Sequence, residues 1–465
     1  MPSFLRATLP YPKVVAIDNI EKELNDIRDG LLSAGVPCIP LLYDGTEGLK
    51  KPTGLDTTHA RYVFMDLNLN EEDVHHPPRL VDPICDALNS LAISGPYLLI
   101  FWTSHPGIVE NVMALVRSRR TDVSLPFNFA TMDKTLLQLP EEQEQRADKL
   151  AVLVTELSSK LSVNKVFSAL LAWENKVGEA ASNAIKTLHD TVRAPQPTGI
   201  AQKEDDFSKL LKYIASSAWG KTAANDDWGG SVASGLSPFM SDNLDYGISS
   251  DDKYKSIWLG ALQNDLASKR PSKVSKYTLN TSCIIDTACL KKEAHGIWLQ
   301  FKLTCSPEFV SALGGSGESL MAEFINLSSE AATGLELAKQ VKLGMLDITR
   351  ACDYSNRKHC LRRFVLGAII PVSLRSHIDF PDSKPPSKKH DAIYQLPEVT
   401  IDTGNGLQDS IIQINFKYVL SLPDNSPLLK EGSVSPLCRV RRQALVEIIS
   451  KFGSHTTSPG LLSFH

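Results

Sequence analysis

Four short apolar runs near the start of the chain each stop at a side chain that can do polar chemistry. Val14-Val15-Ala16-Ile17 ends in Asp18, Tyr62-Val63-Phe64-Met65 in Asp66, Leu98-Leu99-Ile100-Phe101-Trp102 in Thr103, and Phe127 to Met132 is followed by Lys134. A carboxylate can attack a phosphoryl group only once their mutual repulsion is removed, which calls for a divalent metal. Mg²⁺ takes oxygen ligands and keeps several waters. Asp66 and Asp18 can supply such oxygens, and a backbone carbonyl just past Asp66 another. Lys134 can neutralise a phosphoryl oxygen, and Thr103 can donate a hydrogen bond to another.

The elements that must position these groups are strands separated by helices. Continuous apolar runs are what strands buried on both faces look like. Ile20 to Ala34 has helical spacing through Ile20, Leu24, Ile27 and Leu31 and stops at Gly35. Cys38–Leu42 reads as a second strand, Tyr62–Asp66 as the third, Tyr97–Thr103 as the fourth and Phe127–Met132 as the fifth. Leu80–Leu91 and Ile108–Arg117 are helices between them. This predicts an α/β fold with a doubly wound, five-stranded parallel sheet, whose polar residues gather at the carboxyl ends of the strands. Glu141–Leu161 reads as its closing helix.

The set resembles the receiver domain of two-component response regulators. That family has an acidic pair after its first strand, a phosphoacceptor Asp after the third, Ser or Thr after the fourth and Lys after the fifth. Asp18 with Asn19, Asp66, Thr103 and Lys134 stand in that order here, over about residues 11–162. The resemblance implies phosphorylation of Asp66 by a partner histidine kinase, with Mg²⁺ held by Asp18, Asp66 and the backbone carbonyl of Asn68. Three positions depart from the family pattern. Asn19 is a neutral amide where a metal-binding acid is usual, so it ligates with less charge. Thr131 stands at the aromatic switch position, and Thr135 stands where Pro usually follows the lysine.

The runs Phe101–Pro106 and Met132–Lys134 also look like a divergent receiver group from bacterial anti-phage gene clusters. A receiver followed by a large C-terminal region is similar to the intermediate receiver of the Detocs defence systems. That implies a phosphate sink or relay that restrains a separate receiver-effector protein. The alternatives are an effector enzyme with its active site in the C-terminal region, gated by the receiver, and a phosphorylation-blind scaffold.

Beyond the receiver-like part, residues 163–218 are expected to be a helical connector. Val166–Val192 carries Phe167, Leu170, Leu171, Trp173, Ile185 and Leu188, and could mediate homodimerisation or pack on the next domain. Residues 194–202 read as a linker, and 219–252, rich in Gly, Ser, Asp and Asn, as a flexible loop. Residues 253–465 read as an α+β domain. Ile297–Leu303 and Ile412–Leu420 alternate as half-buried strands, and Phe364–Val372 is a further strand. Pro307–Leu313 and Val440–Phe452 are read as helices, and Asp382–Lys389 as an exposed loop.

Other candidates in this part are weaker. Cys352 with His359 could form a thiolate–imidazole pair, or bind metal with Cys360, but the spacing fits no standard zinc site. A small Cys at a strand end, with Asp353 capping the next turn, is the favoured reading. Arg357, Lys358, Arg362, Arg363, Arg439, Arg441 and Arg442 read as a solvated helix face rather than a phosphate or nucleic-acid contact, since no aromatic residues interleave them. His189-Asp190 resembles a kinase phosphoacceptor histidine, but no ATP-binding glycine boxes follow, so a surface histidine is expected. The net charge of −4 gives no reason to expect nucleic-acid or membrane partners. The 8 cysteines form no C-x-x-C pair. Met1–Pro12 shows no signal-peptide core and no apolar run is long enough to span a bilayer, so the cytoplasm is the expected location.

Overall fold

The computed structural model describes residues 11–120, 122–138, 140, 142–162, 164–192, 200–262, 274–288, 290–292, 294–302, 320–325, 340–349, 361–378, 392–404, 406–429 and 433–457. Val14–Asp18 forms strand β1, with every residue buried. A strand hidden on both faces needs strands at its edges and helices above and below. β2 (Ile39–Asp44) and β4 (Tyr62–Asp66) flank it in parallel. β5 (Leu98–Trp102) and β6 (Asn128–Met132) continue the parallel array. A two-residue strand, β3 (Gly48–Leu49), turns back antiparallel against β2. The sheet is therefore mixed and 6-stranded, in the order β3-β2-β1-β4-β5-β6. The expectation of five all-parallel strands missed β3, because two residues carry no hydrophobic period.

Helices cover both faces. α1 (Glu21–Ser33), α2 (Pro77–Leu91), α3 (Val109–Arg119) and α4 (Gln143–Ser162) follow the strands. Val15 and Ile17 point to one face, where Leu80, Ile84 and Leu88 of α2 join Val112 and Val116 of α3. Val14 and Ala16 point to the other, with Leu24, Ile27 and Leu31 of α1 and Leu153 and Leu157 of α4. Alternate residues of one strand thus feed two cores. α1 ends as its sequence predicts. Gly35 has φ +79°, its amide bonds to Leu32 O at 3.0 Å, and the Val36 amide bonds to Leu31 O at 2.8 Å. That is the Schellman pattern, which a left-handed glycine permits.

The chain divides into two compact units, Met1–Ala181 with Leu244–Asp265, and Ser182–Asn243 with Leu266–His465. The first extends past residue 162. α5 (Lys165–Val192) begins in it, and Phe167 is fully buried in the α1–α4 core.

Residues 219–252 are not a loop but largely helical. α6 (Ile200–Trp219) is followed by α7 (Lys221–Asp226), α8 (Trp228–Ser249) and α9 (Asp252–Leu262). The small residues that suggested a loop permit close helix contact instead. A Cβ at Gly235 would collide with Ile214 of α6, and one at Gly230 with Trp219.

α6, α7 and the first part of α8 belong to the second unit and α9 to the first; the second unit also holds α10 (Lys276–Ile284) and an 8-stranded sheet. Its strands are β7 (Ile285–Asp286), β8 (Ile297–Phe301), β9 (Lys342–Asp347), β10 (Leu361–Pro371), β11 (Ile393–Gln395), β12 (Val399–Asp402), β13 (Leu407–Pro423) and β14 (Val434–Val440). All its pairings are antiparallel. Val440 ends a strand, and the last described helix, α11, spans Arg442–Thr457. The central strands are covered on both faces rather than half-buried. Ile297, Leu299 and Phe301 join one core, and Trp298 the other. Trp298 lies against Gly344 and Gly367, where a Cβ would overlap its ring. Arg362 lies in β10, not on a solvated helix face, and it is buried against Asp347 with its Nη2 2.6 Å from Oδ2. Arg439, in β14, pairs with Asp286 at 3.1 Å. Cys352, Asp353, Arg357, Lys358, His359, Cys360, Pro307–Leu313, residues 194–199 and Asp382–Lys389 lie outside the described residues.

Candidate functional site

The parallel strands run the same way, so the side chains at their carboxyl ends meet at one edge of the sheet. Asp18 ends β1, Asp66 ends β4, Thr103 follows β5, and Lys134 follows β6 by two residues. A cavity of about 290 Å³ opens there, lined among others by Asn19, Glu23, Asp66, Asn68, Thr103 and Lys134. Asn19, Asp66, Asn68, Thr103 and Lys134 therefore converge on this cavity, while Asp18 is not on its lining.

Asp66 is 6% exposed. Its Oδ1 accepts from Lys134 Nζ at 3.2 Å and its Oδ2 from the Asn68 amide at 3.1 Å. Burial raises its carboxyl above the ordinary value, although Lys134 and the Asn68 amide pull the other way. The Asn68 side chain is pinned to the backbone of Glu72, accepting at 2.8 Å and donating at 2.9 Å. The Asn68 carbonyl accepts from the Glu71 amide at 3.3 Å. A carbonyl oxygen has a second lone pair to offer.

Asp18 lies behind the cavity wall, fully buried. Its Oδ1 accepts from the Ile20 amide at 2.8 Å and its Oδ2 from Trp102 Nε1 at 3.0 Å. Burial, reinforced by the charge of Asp66, pushes it up to about 6, against the pull of the Ile20 amide and Lys134. Both oxygens carry a protein donor, so Asp18 is less open to a direct ligand than the sequence suggested.

Lys134 opens a short 3₁₀ turn that Asp133 caps. Thr135, where the receiver pattern has proline, donates its amide to Asp133 at 2.8 Å, a bond proline cannot make. The Lys134 ammonium touches Asp66, lies 3.7 Å from Asp18 Oδ2 and forms an ion pair with Glu23. It also sits over the Trp102 ring, 5.1 Å from the centroid. Burial alone would lower its affinity for a proton, but the surrounding carboxylates outweigh burial and hold it above the ordinary lysine value. Thr103 is 4% exposed, and its Oγ1 accepts from the His105 amide at 3.0 Å. That bond leaves the hydroxyl proton available to donate.

Sequence reasoning missed Glu23 and Trp102. Acids in the first turn of a helix usually answer the helix dipole, which is why Glu23 drew no notice. Its position five residues after Asp18, on a helix leaving the carboxyl end of β1, was the available signal. Trp102 read as one more apolar strand residue, although its indole N–H must find an acceptor once buried.

No protein-family model, curated protein or solved structure matches the chain. Whether Mg²⁺ suits the site is therefore a question for its own donor set. Asn19 Oδ1 is buried with no hydrogen-bond partner. It lines the same cavity as Asp66 and Asn68. Among the described residues, no three His, Cys, Asp or Glu side chains form a ready-made metal cage. An oxygen-rich, incomplete shell with room for water fits Mg²⁺ and does not fit zinc.

Elsewhere, His189 and Asp190 are a surface pair 3.5 Å apart. No helix among the described residues is long and apolar enough to cross a membrane.

Proposed function

We propose that the protein is a response-regulator-type phosphoacceptor that takes a phosphoryl group onto Asp66. The observation that carries this reading is the Lys134 ammonium 3.2 Å from Asp66 Oδ1, in a cavity shared with Thr103 and Asn19. The parallel strands run in the order β2-β1-β4-β5-β6, the doubly wound arrangement of receiver domains, and this adds support. An Asp66 oxygen attacks phosphorus, and a new O–P bond forms as the P–N bond to the histidine of a partner kinase breaks. The kinase imidazole leaves with the electron pair and takes up a proton. Lys134 neutralises one phosphoryl oxygen and the Thr103 hydroxyl donates to another. Mg²⁺ held at Asn19, Asp66 and the Asn68 carbonyl would supply the charge that lets two anions meet.

The similarity to the Detocs intermediate receiver gives the biological form of this proposal. The chain would act as a phosphate sink or relay in anti-phage defence, beside a separate receiver-effector. Incubating the protein with acetyl phosphate, or with a cognate kinase and ATP, in the presence of Mg²⁺ tests it. One acid-stable, hydroxylamine-labile label is expected on the unaltered chain and none on Asp66→Asn. Equal labelling of the variant, or no label on either, would overturn the proposal, and the second result would favour a phosphorylation-blind scaffold.

A further inference from the structure

We infer that Glu23 is the second acidic group of the metal site, supplying from α1 the charge that Asn19 lacks. The inference rests on the phosphoacceptor reading of the cavity and concerns how that cavity holds its cation.

Lys134 makes contact with three carboxylates, those of Asp66, Glu23 and Asp18. Three negative charges against one positive leave two in excess, which matches a divalent cation. Without Glu23 the excess would be one. Affinity for a hard cation follows the charge of its ligands, so a site built on Asn19, Asp66 and a carbonyl alone would be weak. Glu23 lines the same cavity as Asn19 and Asp66. The buried, unpartnered Asn19 Oδ1 is an acceptor facing nothing that donates, a defect that a cation would relieve. Glu23 would hold the cation directly or through a bound water.

A competing role is simple: Glu23 could tie Lys134 in place and nothing more. Removing a tether would leave Mg²⁺ affinity unchanged or raise it, whereas removing a ligand must lower it. Mg²⁺ binding to the full chain can be measured by isothermal titration calorimetry without any phosphoryl donor. Glu23→Gln should weaken binding by about tenfold or more, the usual effect of losing a group that supports a metal. Asn19→Asp placed in the Glu23→Gln chain should restore it, which also shows that the Glu23→Gln change is compatible with a folded site. An affinity within twofold of the unaltered chain in Glu23→Gln, tighter binding, or no Mg²⁺ binding by the unaltered chain would each overturn the inference. Failure of the phosphoacceptor reading looks different: Mg²⁺ binds through Glu23, yet Asp66 takes no label.

Discussion

Trp102 has two roles at once. Its Nε1 donates to Asp18 Oδ2 at 3.0 Å, and its ring lies under the Lys134 ammonium. Trp102→Phe keeps a ring but leaves a fully buried carboxylate oxygen without its donor. Orphaning a buried polar group costs about 1–3 kcal/mol, so the unfolding free energy from urea denaturation should fall by that amount, seen as a lower midpoint with the m-value unchanged. An unchanged midpoint would mean that water replaces the indole. Asp18, Asp66, Thr103 and Lys134 were legible in the sequence because each follows an apolar run, and parallel strands bring such ends together. Glu23 and Trp102 were not legible as site residues. Their roles depend on where a helix and a ring come to lie against a lysine far away in the chain, and no local period encodes that.

Helices and long strands of the first unit followed from hydrophobic spacing, because each buries one stripe or both faces against the same sheet. Three features escaped. β3 is too short to have a period. α8 is built of small residues that normally signal a loop, and its helical state depends on how closely it packs against α6. The strands around Trp298 alternate in sequence, yet both faces are covered. The closing boundary of the first unit also shifts. Phe167 of α5 has no exposed surface, stacks on Phe127 at 5.7 Å and meets Tyr62 edge-on at 5.8 Å. Phe167→Ala should therefore cost about 3–5 kcal/mol, the usual penalty for emptying a buried aromatic site. Urea denaturation followed by circular dichroism measures it, and a loss below about 1 kcal/mol would show that α5 is only draped over the sheet.

At the scale of the whole molecule the described thiols differ in burial. Burial pushes Cys38 and Cys85 up to about 11 and Cys438 up to about 12, while Cys283 is exposed. Peptide mapping after brief iodoacetamide treatment at pH 8 should find Cys283 modified and Cys85 and Cys438 protected until denaturant is added. The pH dependence follows from the same groups. The folded chain keeps these protons where the unfolded chain, with thiols near about 8.5, gives them up. Their contribution to stability is thus complete below that value and declines as pH rises through it towards about 11. A midpoint of denaturation that rises between pH 8 and 10 would contradict it.

Sheet edges are where one polypeptide can recruit another into a fibril. Here β3 closes one edge of the 6-stranded sheet with two residues, and β7, β11 and β12 bound the other sheet with two, three and four. Such stubs offer an incoming strand almost no ladder to extend. Of the described edge strands β6, with five residues, is the longest, and its far end leads to Lys134. Resistance to cross-β aggregation is therefore distributed unevenly over the described sheets, and the longest of these edge strands ends beside the charged cavity.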